Sequence, residues 1–70
     1  MKISARNVLQ GTVKQIIEGA VNSEIILILP NGLEITSVIT KSSVKNLELK
    51  EGKEVYAVIK ASNVMIAVND

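Results

Sequence analysis

Two short runs of this chain are apolar at every position, Ile25-Ile26-Leu27-Ile28-Leu29 and Val64-Met65-Ile66-Ala67-Val68. A β-strand sends successive side chains to opposite faces, so a strand that is apolar on both needs cover on both. The neighbouring runs alternate instead. Leu33, Ile35, Ser37 and Ile39 share one face against Glu34, Thr36, Val38 and Thr40, and Val55, Ala57 and Ile59 line up within Glu54 to Lys60. This period of two marks half-buried strands. A barrel of 70 residues has one interior and almost no other chain to lay over its outside. The outward Ile and Leu side chains of the two apolar runs therefore predict a subunit interface.

Turn signals separate the strands. Glu18-Gly19-Ala20 is the first, and Pro30-Asn31-Gly32 is the second, where Asn-Gly is expected to supply the positive φ angles of a tight hairpin. Lys50-Glu51-Gly52-Lys53 and Ala61-Ser62-Asn63 complete the set. The strands between them are expected at Val8 to Ile17, Glu24 to Leu29, Leu33 to Thr40, Glu54 to Lys60 and Asn63 to Val68, with a bend or bulge at Gly11. Ser42 to Leu49 departs from the period. Val44 and Leu47 are three apart behind Ser42 and Ser43, either of which can cap a helix. The order predicts an all-β fold: a five-stranded OB-like Greek-key barrel with one short helix between strands 3 and 4. Residues 1–70 form one domain, with no linker or internal repeat.

So small a domain buries little of its surface and normally leans on a disulfide, a metal or a partner chain. Cysteine and histidine are both absent, which removes disulfides, thiolate sites and the commonest transition-metal ligand. Association with further copies is the route left. The same two absences exclude Ser-His and Cys-His nucleophile pairs. There is no phosphate-loop or dinucleotide glycine pattern, and the carboxylates sit mostly at turns and strand ends. The chain therefore reads as a binding protein rather than an enzyme. No apolar run approaches a membrane span. Met1-Lys2-Ile3-Ser4-Ala5-Arg6 lacks the apolar core of a secretion signal, so a cytoplasmic protein is expected.

The hydrogen-bond donors are more informative. Arg6 is the only arginine and lies in Ser4-Ala5-Arg6-Asn7, ahead of the first strand; Lys60-Ala61-Ser62-Asn63 lies between the last two. Each cluster joins a fixed cation to a hydroxyl and free backbone N–H groups, with no carboxylate. A tetrahedral dianion only accepts hydrogen bonds, and charged donors hold it best. On the residues alone, solvated charges beside ordinary turn serines remain an open alternative. So does an OB-type nucleic-acid module, although such barrels stack bases on aromatic side chains and this chain has only Tyr56 and a net charge of +1. A purely structural assembly module is a third reading.

Ser4-Ala5-Arg6-Asn7, Glu18-Gly19-Ala20-Val21-Asn22-Ser23-Glu24, Ile39-Thr40 and the run from Val55 to Met65, with Lys60-Ala61-Ser62 inside it, together resemble the Mop-type, TOBE-like molbindins. The resemblance covers nearly the whole chain in the family's order and spacing. It implies an OB-like barrel assembled as a homohexamer, a trimer of dimers, that binds molybdate or tungstate at subunit interfaces. It implies one kind of site made by Ser4, Arg6, Lys60 and Ser62 with backbone amides near Ala5 and Ala61. A second kind, near a three-fold axis, falls on the Gly19, Ala20, Val21 and Asn22 turn. A domain of this kind standing alone is expected to store or buffer the oxyanion, and the charge, aromatic content and lack of a long apolar run leave neither nucleic acid nor membrane as an expected partner.

Overall fold

The computed structural model describes residues 1–70. Four strands are formed: β1 (Asn7–Glu18), β2 (Asn22–Ile28), β3 (Glu34–Thr40) and β4 (Glu54–Ile59), with a helix α1 (Lys41–Asn46) between β3 and β4 and a 3₁₀ turn at Ala61–Asn63. They build one curled antiparallel sheet in the order β3-β2-β1-β4. No helix is long and apolar enough to cross a membrane.

The alternation read from the sequence decides which way each strand faces. Ile25 and Leu27 of β2 are buried against Val13 of β1, with Ile35 and Ile39 of β3 and Val55 and Ala57 of β4 packed around them. Ile26 and Ile28 point the other way and are half-buried. Val44 and Leu49 close over the same core from α1 and its exit. Among apolar side chains only Val13, Ile25 and Leu27 are fully buried, so the core of the chain is small.

The bulge lies elsewhere than expected. The β1–β2 register slips between Val13 and Gln15, leaving Lys14 as the extra residue. The slip keeps Val13 and Ile16 on the inner face although they are three apart. Gly11 serves a different need. A Cβ there would come within 3.0 Å of the Ile28 carbonyl oxygen, so glycine lets the end of β2 approach β1 closely.

The β2–β3 hairpin also corrects the sequence reading. Only Gly32 has positive φ, at 87°; Asn31 does not. Pro30 fixes a negative φ at the first central position and so forbids the mirror-image turn. The chain instead makes a turn closed by Gly32 N–H to Leu29 O at 2.9 Å, followed by a left-handed glycine. The Asn31 side chain accepts from Leu33 N–H at 3.1 Å.

Helix α1 is capped by Thr40, not by Ser42 or Ser43. Its hydroxyl oxygen accepts from Ser43 N–H at 3.1 Å, the usual reach from cap to third helical residue. At the other end Leu49 N–H reaches Val44 O and Glu48 N–H reaches Lys45 O, a Schellman closure with Glu48 at φ 53° where glycine is commonest. Lys53 Nζ donates to the freed carbonyls of Leu47 and Glu48 at 2.8 and 3.2 Å.

The largest correction is the fifth strand. Val64 to Val68 pairs with nothing in its own chain. The polar link expected to turn the chain back as a hairpin forms a 3₁₀ turn instead, closed by Asn63 N–H to Lys60 O, and the run continues past the sheet. The sheet therefore stays open, with β3 and β4 as free edges. The chain's 32 backbone hydrogen bonds fall short of the roughly 47 that two-thirds of one bond per residue would give.

Candidate functional site

The pairing of β1 with β4 joins the two donor clusters. Asn7 lies opposite Ile59 at the end of the ladder, and the Asn7 side-chain amide donates to Ile59 O at 3.2 Å. Arg6 precedes Asn7 and Lys60 follows Ile59, so they leave the ladder at the same end. Positions more than fifty residues apart in sequence thus share one corner of the sheet. Ser4, Arg6, Lys60, Ala61 and Ser62 are exposed there, and Ala5 is half-buried. No carboxylate is hydrogen-bonded or ion-paired to either cation; the ion pair in the structure is Lys14 with Glu34. The corner thus offers a guanidinium, an ammonium and two hydroxyls. The amides of Ala61 and Ser62 open a 3₁₀ turn, where N–H groups have no partner within the turn. It is all donors, but it is one wall rather than an enclosed pocket.

The second cluster is built by a steric requirement. At Gly19 a Cβ would stand 2.4 Å from the Asn22 carbonyl oxygen, so the β1–β2 turn closes this tightly only with glycine. The turn is held from outside as well, because Lys41 N–H donates to Val21 O at 2.8 Å. Asn22 lies opposite Thr40 in the β2–β3 register. The structure therefore brings Gly19, Ala20, Val21 and Asn22 beside Thr40, Lys41 and Ser42. Thr40 Oγ1 is linked to the hydroxyls of Ser42 at 3.2 Å and Ser43 at 2.8 Å. Ser23 adjoins the turn; its hydroxyl is buried and has no hydrogen-bond partner. Glu18 also borders this region, so its electrostatics favour an anion less than those of the Arg6–Lys60 corner.

The sequence reading passed over Lys41, Ser42 and Ser23 as members of the second cluster. Lys41 and Ser42 read as a helix start. Their closeness to the Val21 turn depends on the β2–β3 register, which no local spacing reveals. No group of three or more acidic side chains converges to hold a metal cation. A mostly apolar hollow of about 400 Å³ lies on the concave face, and a larger one of about 560 Å³ lies against the second cluster, lined among others by Glu18, Lys41 and Ser42.

Comparison with known proteins settles the family. The TOBE domain model matches residues 3–66. The chain belongs to the TOBE domain family. A relative described as a probable molybdenum-pterin-binding protein of Haemophilus influenzae is 46% identical over 68 residues, covering 97% of this chain and 99% of its own. Molybdenum-pterin-binding protein 1 of Clostridium pasteurianum is 47% identical over 66 residues, covering 94% and 97%. Among solved structures, MopII from Clostridium pasteurianum superposes with a TM-score of 0.91 at 45% identity, covering 96% of this chain and all of that one. The cytoplasmic molybdate-binding protein ModG, with molybdate bound, superposes with a TM-score of 0.90 at 57% identity. This TOBE chain covers 46% of that longer chain. The Mop-type resemblance of the sequence is thereby shown for nearly its whole length.

Proposed function

We propose that this TOBE protein binds molybdate or tungstate as a tetrahedral dianion, between subunits of a homo-oligomer, and stores or buffers it in the cytoplasm without chemical change. The observation that carries the reading is the Arg6–Lys60 corner. Strand pairing joins two carboxylate-free donor clusters at one end of the sheet, and they remain exposed as a single wall. The relatives described as molybdenum-pterin-binding or molybdate-binding proteins support the choice of anion.

In this reading Ser4, Arg6, Lys60 and Ser62 donate from side chains, and Ala5 and Ala61 from the backbone. A neighbouring copy supplies the opposite wall. The Gly19–Asn22 turn forms the second kind of site where copies meet around a three-fold axis, and the assembly is a hexamer, a trimer of dimers. The five-stranded OB-like barrel is completed only within that assembly.

Selectivity tests the reading. A rigid set of donors fits one anion radius; sulfate is smaller, and its oxygens cannot reach every donor at once. Phosphate at neutral pH carries at least one proton, and an O–H facing donors only is left unpaired, at a cost of about 1–3 kcal/mol. Calorimetric titration is expected to show saturable molybdate binding and at least tenfold weaker binding of sulfate and phosphate. Equal affinities for all three would reduce the corner to a patch of positive charge.

A further inference from the structure

We propose that Glu18 sets the affinity of the second cluster: its free carboxylate, beside the Gly19–Asn22 turn, holds an oxyanion there more loosely than the Arg6–Lys60 corner does. The inference rests on the second kind of site in the proposed function and names the residue that tunes it.

The cluster has cations and hydroxyls to attract an anion. Lys41 and Ser42 line the hollow of about 560 Å³, joined by Lys45 one helical turn on. Lys41 is fixed beside the turn by its N–H bond to Val21 O. Lys41 and Lys45 are exposed and neither is ion-paired in the chain, whose ion pair is Lys14 with Glu34. The same hollow is lined by Glu18 and Glu48. A further hollow of about 300 Å³ is lined by Gly19, Asn22, Ser23, Glu24 and again Glu18. Glu18 is thus the one carboxylate common to both hollows at the turn, and no cation of the chain neutralises it. It lies opposite Ser23 at the last rung of the β1–β2 ladder, so its backbone cannot swing away. The corner differs, since residues 4–7 and 60–63 contain no carboxylate.

The sign follows from Coulomb's law. An arriving dianion gains from Lys41 and Lys45 and loses to Glu18. Two unit charges at contact distance in water interact by an amount worth about fivefold in an equilibrium constant. The double charge of the anion raises that figure and a wider separation lowers it, so the carboxylate is worth roughly three- to tenfold in affinity. The corner then fills first, and the turn releases its anion first as the free concentration falls.

Calorimetric titration of the parent with molybdate at low ionic strength is expected to show two classes of site. Glu18→Gln keeps the side chain's size and removes its charge. It is expected to tighten the weaker class roughly three- to tenfold and leave the stronger class unchanged. Most of that gain is lost in 1 M salt, where the screening length is about 3 Å. Lys41→Ala loosens the same class, which assigns it to this cluster. Glu54→Gln removes an equal charge away from the turn, opposite Thr12, and changes neither class. A weaker class that Glu18→Gln leaves unmoved or loosens overturns the proposal, as does a single class of site in the parent. An equal gain from Glu54→Gln also overturns it, by reducing the effect to net charge. These outcomes leave binding at the corner standing. No molybdate binding by any variant sinks the functional reading itself.

Discussion

Arg6→Ala and Lys60→Ala are each expected to weaken molybdate binding by one to two orders of magnitude while leaving the sheet intact. Both residues leave the β1–β4 ladder at the Asn7–Ile59 end, and both are exposed in the single chain. Neither belongs to the Val13, Ile25 and Leu27 core, so truncation does little to folding. Binding is another matter. A dianion held between subunits is partly desolvated, and losing one charged hydrogen bond there costs about 1.5–3 kcal/mol, roughly ten- to a hundredfold in affinity. Arg6→Lys is expected to fall between parent and alanine, because a point charge keeps the attraction but loses the planar fork. Calorimetry together with sedimentation separates the outcomes. Unchanged affinity in both alanine variants would make these residues solvated bystanders. Dissociation of both variants without ligand would make them interface residues, and the anion would then need other donors.

Gly19→Ala is the second large effect, and its origin is steric. Gly19 is not at positive φ; that conformation is confined to Gly32, Gly52 and Glu48. Its added Cβ would stand 2.4 Å from the backbone oxygen of Asn22, and no rotamer change relieves a clash between backbone atoms. The turn must open, at a cost of about 1–3 kcal/mol, the range for forced overpacking. Opening it also pulls Val21 O away from Lys41 N–H. Denaturant midpoints give the stability, and the Lys41 amide resonance reports the turn. Gly32→Ala is the matched control. Nothing lies within 4 Å of its Cβ, so only the left-handed backbone penalty of about 1 kcal/mol remains. Equal stability of parent and Gly19→Ala, with an unmoved Lys41 amide, would refute the steric account of this turn.

The parts of the fold legible in the sequence were those set by local period. Ile35, Ser37 and Ile39 share the inner face of β3, as do Val55, Ala57 and Ile59 on β4. The helix falls between β3 and β4, as the break in alternation after Thr40 indicated. Strand ends differ by one or two residues, because pairing rather than composition decides where a ladder stops. The bulge near Lys14 was hidden for the same reason. Gly11 is the permissive residue of β1, yet the slip falls between Val13 and Gln15 and answers the need to put both Val13 and Ile16 inward. Val64 to Val68 shows the limit most clearly. Its composition is that of a strand, but a strand exists only beside a partner, and no strand of the chain pairs with it.

The candidate site divides in the same way. Arg6 and Lys60 stand out as charges set among hydroxyls, and the β1–β4 register unites them. Lys41 and Ser42 carry no such mark, since their place beside the Val21 turn comes from β2–β3 pairing. Ser23 was invisible because a serine beside a turn is ordinary. Only its burial without a hydrogen-bond partner distinguishes it.

Native mass spectrometry of the unaltered chain, with and without molybdate, tests the central claim most directly, because it reads assembly and bound anion in one spectrum. The account predicts a hexamer that gains mass in whole steps of the oxyanion and gains none from sulfate at the same concentration. A folded monomer that carries no molybdate would contradict it.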